Sequence, residues 1–187
     1  LPYFAEDSPQ WTTHSYDSLG RIAQTTAPDN TTTTYQYSAL WDKVTVSKGS
    51  TSQSTEKSYN TLGEVIQSKD TDGNIVYFEY TPDGHVSQTY TSAHPSSKIT
   101  LKYDIHGNRI TLNDPDAGTT SSMYDAFGHL LREVTAGGDT TTLAYDDLGR
   151  VTQRTDTRGE IRYVYVTDTT DAAFGKPDST YLVGGNL

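Results

Sequence analysis

Apolar and polar side chains alternate along short stretches of this chain, and glycine, asparagine and aspartate punctuate the stretches at close intervals. Counting back by twos from Tyr80 gives Phe78 and Val76; from Tyr103, Leu101 and Ile99; from Tyr145, Leu143; and from Tyr165, Tyr163 and Ile161. The interleaved positions include Glu79, Lys98, Lys102 and Arg162. Alternation with period two puts successive side chains on opposite faces of an extended strand, so these runs predict β-strands rather than helices. The pattern predicts strands over Ile75–Tyr80, Lys98–Tyr103, Thr140–Tyr145 and Glu160–Tyr165, each running into a tyrosine. A second set leaves a glycine: Arg21–Thr26, Glu64–Ser68, Leu130–Thr135 and Arg150–Thr155. One face of the sheet is expected to be apolar with tyrosine as its last, core member, and the other wet. Ile75 and Tyr77 break the alternation, which predicts a strand covered on both sides.

The punctuation is itself repetitive. It reads YDSLGR at Tyr16–Arg21, YNTLGE at Tyr59–Glu64, YTPDGH at Tyr80–His85, YDIHGN at Tyr103–Asn108, YDAFGH at Tyr124–His129 and YDDLGR at Tyr145–Arg150. Tyr59 and Tyr80 are 21 residues apart, as are Tyr103 and Tyr124, and Tyr124 and Tyr145; Tyr37 and Tyr165 extend the series. A fixed interval of this length predicts a stack of equivalent supersecondary units, not a globule built around one site. Weaker turn signals alternate with the phrase at Pro28-Asp29-Asn30, Asp72-Gly73-Asn74, Asp114–Gly118, Gly137-Gly138-Asp139 and Asp156–Gly159. Each period therefore holds two turns and two strands, which is a hairpin array.

The phrase has a mechanical reading. Its aspartate caps the turn with a carboxylate, its glycine takes the left-handed conformation that re-enters the next strand, and its tyrosine packs beneath the turn with the hydroxyl on a backbone group. The residues expected to build these joints are Tyr16, Asp17, Gly20 and Arg21; Tyr59 and Gly63; Tyr80 and Gly84; Tyr103, Asp104 and Gly107; Tyr124, Asp125 and Gly128; and Tyr145, Asp146, Gly149 and Arg150. After Tyr37 the phrase is replaced by Ser38-Ala39-Leu40-Trp41, with Trp41 where a glycine would fall. That turn must be built differently, and it is expected to be the weakest unit.

Composition narrows the alternatives. Hydrophobic residues make up 33% of the 187 residues, a low share, but aromatics reach 11% with 14 tyrosines. Disordered chains are poor in aromatic and β-branched residues, so an extended sheet fits better than disorder. The formal net charge is −10, from 24 acidic and 14 basic residues. Such a surface repels phosphate backbones and anionic membrane faces, which argues against nucleic acid as a partner and against membrane insertion. No apolar stretch approaches a membrane span, and the start, Leu1-Pro2-Tyr3-Phe4, lacks the basic and apolar regions of a signal peptide. With no initiating Met, the chain is expected to be a piece of something larger. Cysteine is absent, so disulfides and thiolate metal sites are excluded.

Candidate chemistry does not displace the structural reading. His85 and His129 hold the same phrase position two periods apart, hence roughly 20 Å at two strands per period, too far to share a metal ion. With His14, His94 and His106 they are expected to be solvated. Asp70-x-Asp72-Gly73-Asn74 echoes a calcium loop, but its glycine is misplaced and no glutamate stands at the twelfth position, so a hairpin turn is expected. Asp17, Asp104, Asp125 and Asp146 recur once per repeat, whereas catalytic carboxylates come as a close pair in unlike environments. Neither a nucleophile elbow nor a phosphate-cradling loop occurs. No cofactor and no catalytic residue is expected. The tyrosine series offers one alternative, a stacking platform for sugar rings.

Tyr-Asp-x-x-Gly-Arg followed by a Thr/Val-rich strand, then a second turn and a strand into the next tyrosine, resembles the Rhs or YD repeat. The best copies are Tyr16–Arg21, Tyr103–Asn108, Tyr124–His129 and Tyr145–Arg150, and the resemblance runs from Tyr16 to Tyr165. Pro2-Tyr3-Phe4 with Trp11-Thr12-Thr13 is similar to the lead-in of such arrays in proteins like the B component of Tc toxin complexes. The resemblance implies an all-β fold of tandem antiparallel hairpins in a curved, spiralling ribbon, part of a larger shell. In that family the shell of Rhs and Tc proteins encloses a toxic C-terminal segment, and teneurins use a similar barrel in adhesion. It implies a lead-in over residues 1–15, an array of about seven units over 16–165, and an irregular tail over 166–187. No self-cleaving aspartate site and no variable toxin segment is seen, so the expected role is non-catalytic wall in a secreted or cell-surface bacterial protein. The expected partners are the rest of the parent shell and its enclosed effector, with self-association through open strand edges; an extracellular adhesion or glycan-binding module is the alternative.

Overall fold

The computed structural model describes residues 10–184. Pro2-Tyr3-Phe4 of the lead-in and the last residues of the tail, 185–187, lie outside the described residues. The chain divides into two compact units, Leu1–Ser97 and Lys98–Leu187. The first contains β1 (Thr13–Tyr16), β2 (Ile22–Thr26), β3 (Thr32–Tyr37), β4 (Trp41–Lys48), β5 (Thr51–Tyr59), β6 (Val65–Lys69), β7 (Ile75–Tyr80) and β8 (Val86–Thr91). They lie side by side in chain order, each antiparallel to the one before. The second contains β9 (Ile99–Tyr103), β10 (Arg109–Asp114), β11 (Gly118–Tyr124), β12 (Leu130–Val134), β13 (Thr140–Tyr145), β14 (Val151–Asp156), β15 (Gly159–Tyr165) and β16 (Pro177–Val183), again in chain order and antiparallel. The all-β hairpin array read from the sequence is the fold observed.

Register sorts the side chains into the two expected faces. In the first unit Trp41, Ser58, Gln67, Tyr77 and Tyr90 form one cross-strand row, and Lys43, Glu56, Lys69 and Ile75 the next on the same face. Val44, Val46, Val76 and Phe78 occupy the other face by alternation. The strand of Tyr77, expected to be covered on both sides, has no second layer over it. Tyr77 stacks on Tyr90 with centroids 5.1 Å apart, so the cross-strand partner supplies the contact. In the second unit Leu143, Arg154, Ile161 and Leu182 form a row, and Ala144, Gln153, Arg162 and Tyr181 the opposite one. Arg154 is accommodated among apolar neighbours by Asp156, whose carboxylate lies 2.8 Å away.

Two further expectations need correction. Among the described residues no side chain, apolar or polar, is fully buried, so the tyrosines are not core residues. Each unit is a single layer with water on both faces, and a single layer can only half-bury what it carries. The tail expected to be irregular from residue 166 contains β16, which pairs with β15 from Glu160↔Val183 to Tyr165↔Pro177. Asp168 and Asp171 cap the turns that lead back, and the Thr180-Tyr181-Leu182-Val183 run is rich in strand-forming residues.

Candidate functional site

The recurring joint is the chemistry-bearing feature, and it starts from five residues. Asp17 N–H donates to Arg21 C=O at 2.8 Å, and Gly20 N–H donates to Asp17 C=O at 3.0 Å. This is a tight turn followed by a residue at positive φ, and Gly20 sits at φ 76° because a Cβ is strained there. The same two bonds recur at Asn60–Glu64, Thr81–His85, Asp104–Asn108, Asp125–His129 and Asp146–Arg150. They recur also at Ala27–Thr31, Asp70–Asn74 and Thr135–Asp139, so the weaker turn signal encodes the same turn at three of its positions.

The phrase aspartate is the cap the sequence predicts. Asp17 Oδ1 accepts the N–H groups of Leu19 and Arg21, both at 2.9 Å, and Oδ2 accepts Arg21 Nε–H at 2.8 Å. Asp104 does the same with His106, Asn108 and the Asn108 amide, Asp125 with Phe127, His129 and the His129 ring, and Asp146 with Leu148, Arg150 and the Arg150 guanidinium. The Arg21 N–H bond holds the Asp17 carboxyl below its usual range, as the Arg150 guanidinium does for Asp146 and the Asn108 amide for Asp104. At Asp125 desolvation pushes upward, but the hydrogen bonds from His129 and Phe127 outweigh it and the carboxyl is lowered. Asp70 caps Asn74 in the same manner, so the calcium-loop echo is a hairpin turn. Among the described residues no group of three or more His, Asp or Glu side chains is placed to hold a metal.

The tyrosine does not pack under its own turn. In four copies its hydroxyl reaches back to the previous phrase and donates to the carbonyl two residues past that phrase's glycine position. Tyr37 bonds Ile22, Tyr80 bonds Val65, Tyr145 bonds Leu130 and Tyr165 bonds Val151, at 2.8–3.0 Å. Desolvation first, and then the neighbouring Glu64 or Asp125 carboxylate, raises the Tyr80 and Tyr145 phenols. Tyr16 opens the series and is largely exposed, while Tyr103 and Tyr124 close β9 and β11 opposite Arg109 and Leu130.

The sequence named Arg21 and Arg150 as joint residues but not the rings they meet, and it left the sixth residue of the other copies without a role. The Arg21 guanidinium lies 4.3 Å from the Tyr37 ring centre and that of Arg150 4.3 Å from Tyr165, while the His129 ring stacks on Tyr145 at 4.7 Å. Each of these side chains is thus clamped between its own aspartate and the next repeat's tyrosine. His129, expected to be solvated, is instead half-buried in this clamp. The next turn approaches the same side chain: a Cβ on Gly149 would stand 2.8 Å from His129 Nε2, one on Gly84 3.4 Å from Glu64 Oε1, and one on Gly128 3.5 Å from Asn108 Oδ1. At Gly149 the phrase glycine therefore serves close approach as well as positive φ, whereas at Gly84 and Gly128 a Cβ would make only ordinary contact and at Gly20 and Gly63 it would meet open space; Gly63 and Gly107 share the positive φ. The signal was legible in principle, because the sixth residue carries a polar, hydrogen-bonding side chain in every copy: Arg21, Glu64, His85, Asn108, His129 and Arg150.

Consecutive hairpins joined turn to turn in this way define a β-repeat protein. Residues 16–52 and 124–161 match the RHS Repeat family, and with the recurring phrase they support an Rhs/YD-repeat assignment. No curated protein sequence matches the chain. Solved structures do match in fold. The TcdB2-TccC3-Cdc42 complex aligns over 92% of this chain with a TM-score of 0.73 at 20% identity, and TcdB2-TccC3 over 92% with 0.73 at 19%. The Tc holotoxin pore of Photorhabdus luminescens aligns over 82% with 0.54 at 13%. The chain spans 10% of the first two solved chains and 12% of the third.

Proposed function

We propose that this chain is a non-catalytic stretch of wall in a β-shell that encloses a toxin or effector segment of a secreted or surface-exposed bacterial protein. The observation that carries the reading is the single-layer sheet without a buried core, held together turn to turn by the Asp–sixth residue–Tyr clamp. A layer wet on both faces suits a partition, and the phrase carboxylates are engaged in capping rather than paired for chemistry. The fold shared with the Tc complexes supports the same role. The strands at either end, β1 and β16, each pair on one side within the described residues, and their free edges would receive the strands of the parent shell. The glycan platform is less well supported, because Arg21, His129 and Arg150 cover ring faces of Tyr37, Tyr145 and Tyr165.

The test is limited proteolysis of the complete parent protein, with cryo-electron microscopy of the same sample. Protection of an internal segment, lost when the clamp tyrosines are replaced together by alanine, is the expected result. A parent whose every segment is cut at the rate of an unfolded chain would overturn the wall reading.

A further inference from the structure

In the second unit the residue before the phrase glycine points outward from the turn: Phe127 is 87% exposed and Leu148 68%. The two turns carrying them, Asp125–His129 and Asp146–Arg150, flank a cleft of ≈ 590 Å³. Phe127, Leu131, Tyr145 and Leu148 give it apolar walls, and Asp125, Asp146 and Asp147 give it an acidic lining. Asp125 and Asp146 are engaged by their own turns, whereas Asp147 is exposed and has no counter-ion among the described residues. The basic groups at hand are both engaged away from Asp147: His129, which lines the cleft, is held by Asp125 and stacked on Tyr145, and Arg150 is held by Asp146, by the Gly175 carbonyl and over the Tyr165 ring.

Exposed aromatic and aliphatic walls beside unneutralised carboxylate suit a side chain that is apolar along its stem and cationic at its tip. We propose that this cleft docks an arginine or lysine side chain of an extended basic polypeptide segment. The stem lies against Phe127 and Leu148, the charged head meets Asp147, and the ring of Phe127 adds a cation–π contact. The net charge of −10 draws such a segment in and repels anionic ligands. The inference rests on this cleft alone and stands or falls independently of the shell reading.

Fluorescence anisotropy of the full chain with a labelled peptide of alternating arginine and serine is the test. A second peptide carries citrulline in place of arginine, which keeps the shape and removes the charge. Binding of the arginine peptide is expected, with Phe127→Ser and Asp147→Asn each weakening it about two- to fivefold. Asp72→Asn, an exposed turn carboxylate of the first unit, is expected to leave it unchanged. The substituted positions are solvent-exposed, and circular dichroism confirms that the sheet persists. Equal binding of the citrulline peptide, equal losses in all three variants, or no binding at low salt would each overturn the proposal.

Discussion

Two turns of the first unit solve the same problem with different parts. At Asp17–Arg21 the chain reverses through a three-residue loop, with Gly20 at positive φ and a carboxylate holding two amides. At Ser38–Trp41 it reverses through Ala39-Leu40 alone, closed by the Ser38 N–H to the Trp41 carbonyl at 2.8 Å, and no glycine is present. The glycine turn is accompanied by a register shift at Ser15/Tyr16, whereas β3 and β4 pair without interruption from Thr32↔Ser47 to Tyr37↔Asp42. β4 then pairs with β5 over eight positions, from Trp41↔Ser58 to Lys48↔Thr51. The turn at Trp41 thus closes the β3–β4 ladder without a bulge, because the shorter loop needs none, and Trp41 also begins the eight-pair ladder of β4 with β5. The next tyrosine adapts: Tyr59 donates to the Asp42 carboxylate at 2.8 Å instead of a backbone carbonyl. Tyr37, Tyr59, Tyr80, Tyr145 and Tyr165 all reach back toward the preceding turn, while the loop itself is replaceable.

The largest expected effect comes from Gly149→Ala. It adds an unfavourable positive-φ side chain and drives a Cβ against His129, so a loss of about 1–3 kcal/mol is expected in denaturant unfolding. Gly20→Ala, with open space around it, should lose only the conformational part, and equal losses at the two sites would remove the clamp from the explanation. Next comes Trp41→Gly, which restores the phrase's glycine in sequence but falls on a strand residue. It should destabilise by about 1–2 kcal/mol through lost packing and strand entropy, and a gain in stability would show that the glycine turn is the preferred solution even here.

Tyr59→Phe removes a bond to a charged acceptor and Tyr80→Phe a bond to a neutral one. Losses of about 1–2 and about 0.5–1 kcal/mol are expected in that order, and the reverse order in paired melting curves would contradict the special role of Asp42. The smallest effect is acid sensitivity. Asp29 is held at about 2 by the Lys48 ammonium first and the Thr31 amide next, against 3.8 for the free group. Its lowered value, like that of Asp17, means the unfolded chain takes up protons first. The stabilisation is complete above the unfolded value and is lost as pH falls through the folded one. Amide protection factors, which correct for the intrinsic pH dependence of exchange, should therefore fall between pH 4 and pH 2 at Leu19, Arg21 and Thr31 before Ser38, whose turn has no carboxylate cap.

Strands, hairpin turns and aspartate caps were legible because each depends on a few adjacent residues: alternation, a glycine, a carboxylate two positions before an amide. The reach of Tyr145 to Leu130 was not, since it depends on which residues β12 and β13 set side by side. The same holds for His129, whose neighbours come from its own turn and the next. β16 was hidden for a related reason. Its partner β15 offers an edge for pairing, and an irregular connection over residues 166–176 separates the two in sequence. The missing core was the deepest of these, because alternation announces two unlike faces and is silent on whether anything covers them.

The clamp joins only neighbours in the series, and this has a consequence for how such a chain can change length. Inserting or deleting one whole hairpin period leaves every surviving Asp–sixth residue–Tyr contact with an equivalent partner, whereas a shift of a few residues breaks the reach at once. Length is therefore counted in whole copies, like links in a chain, and the number of links can drift without any link being redesigned.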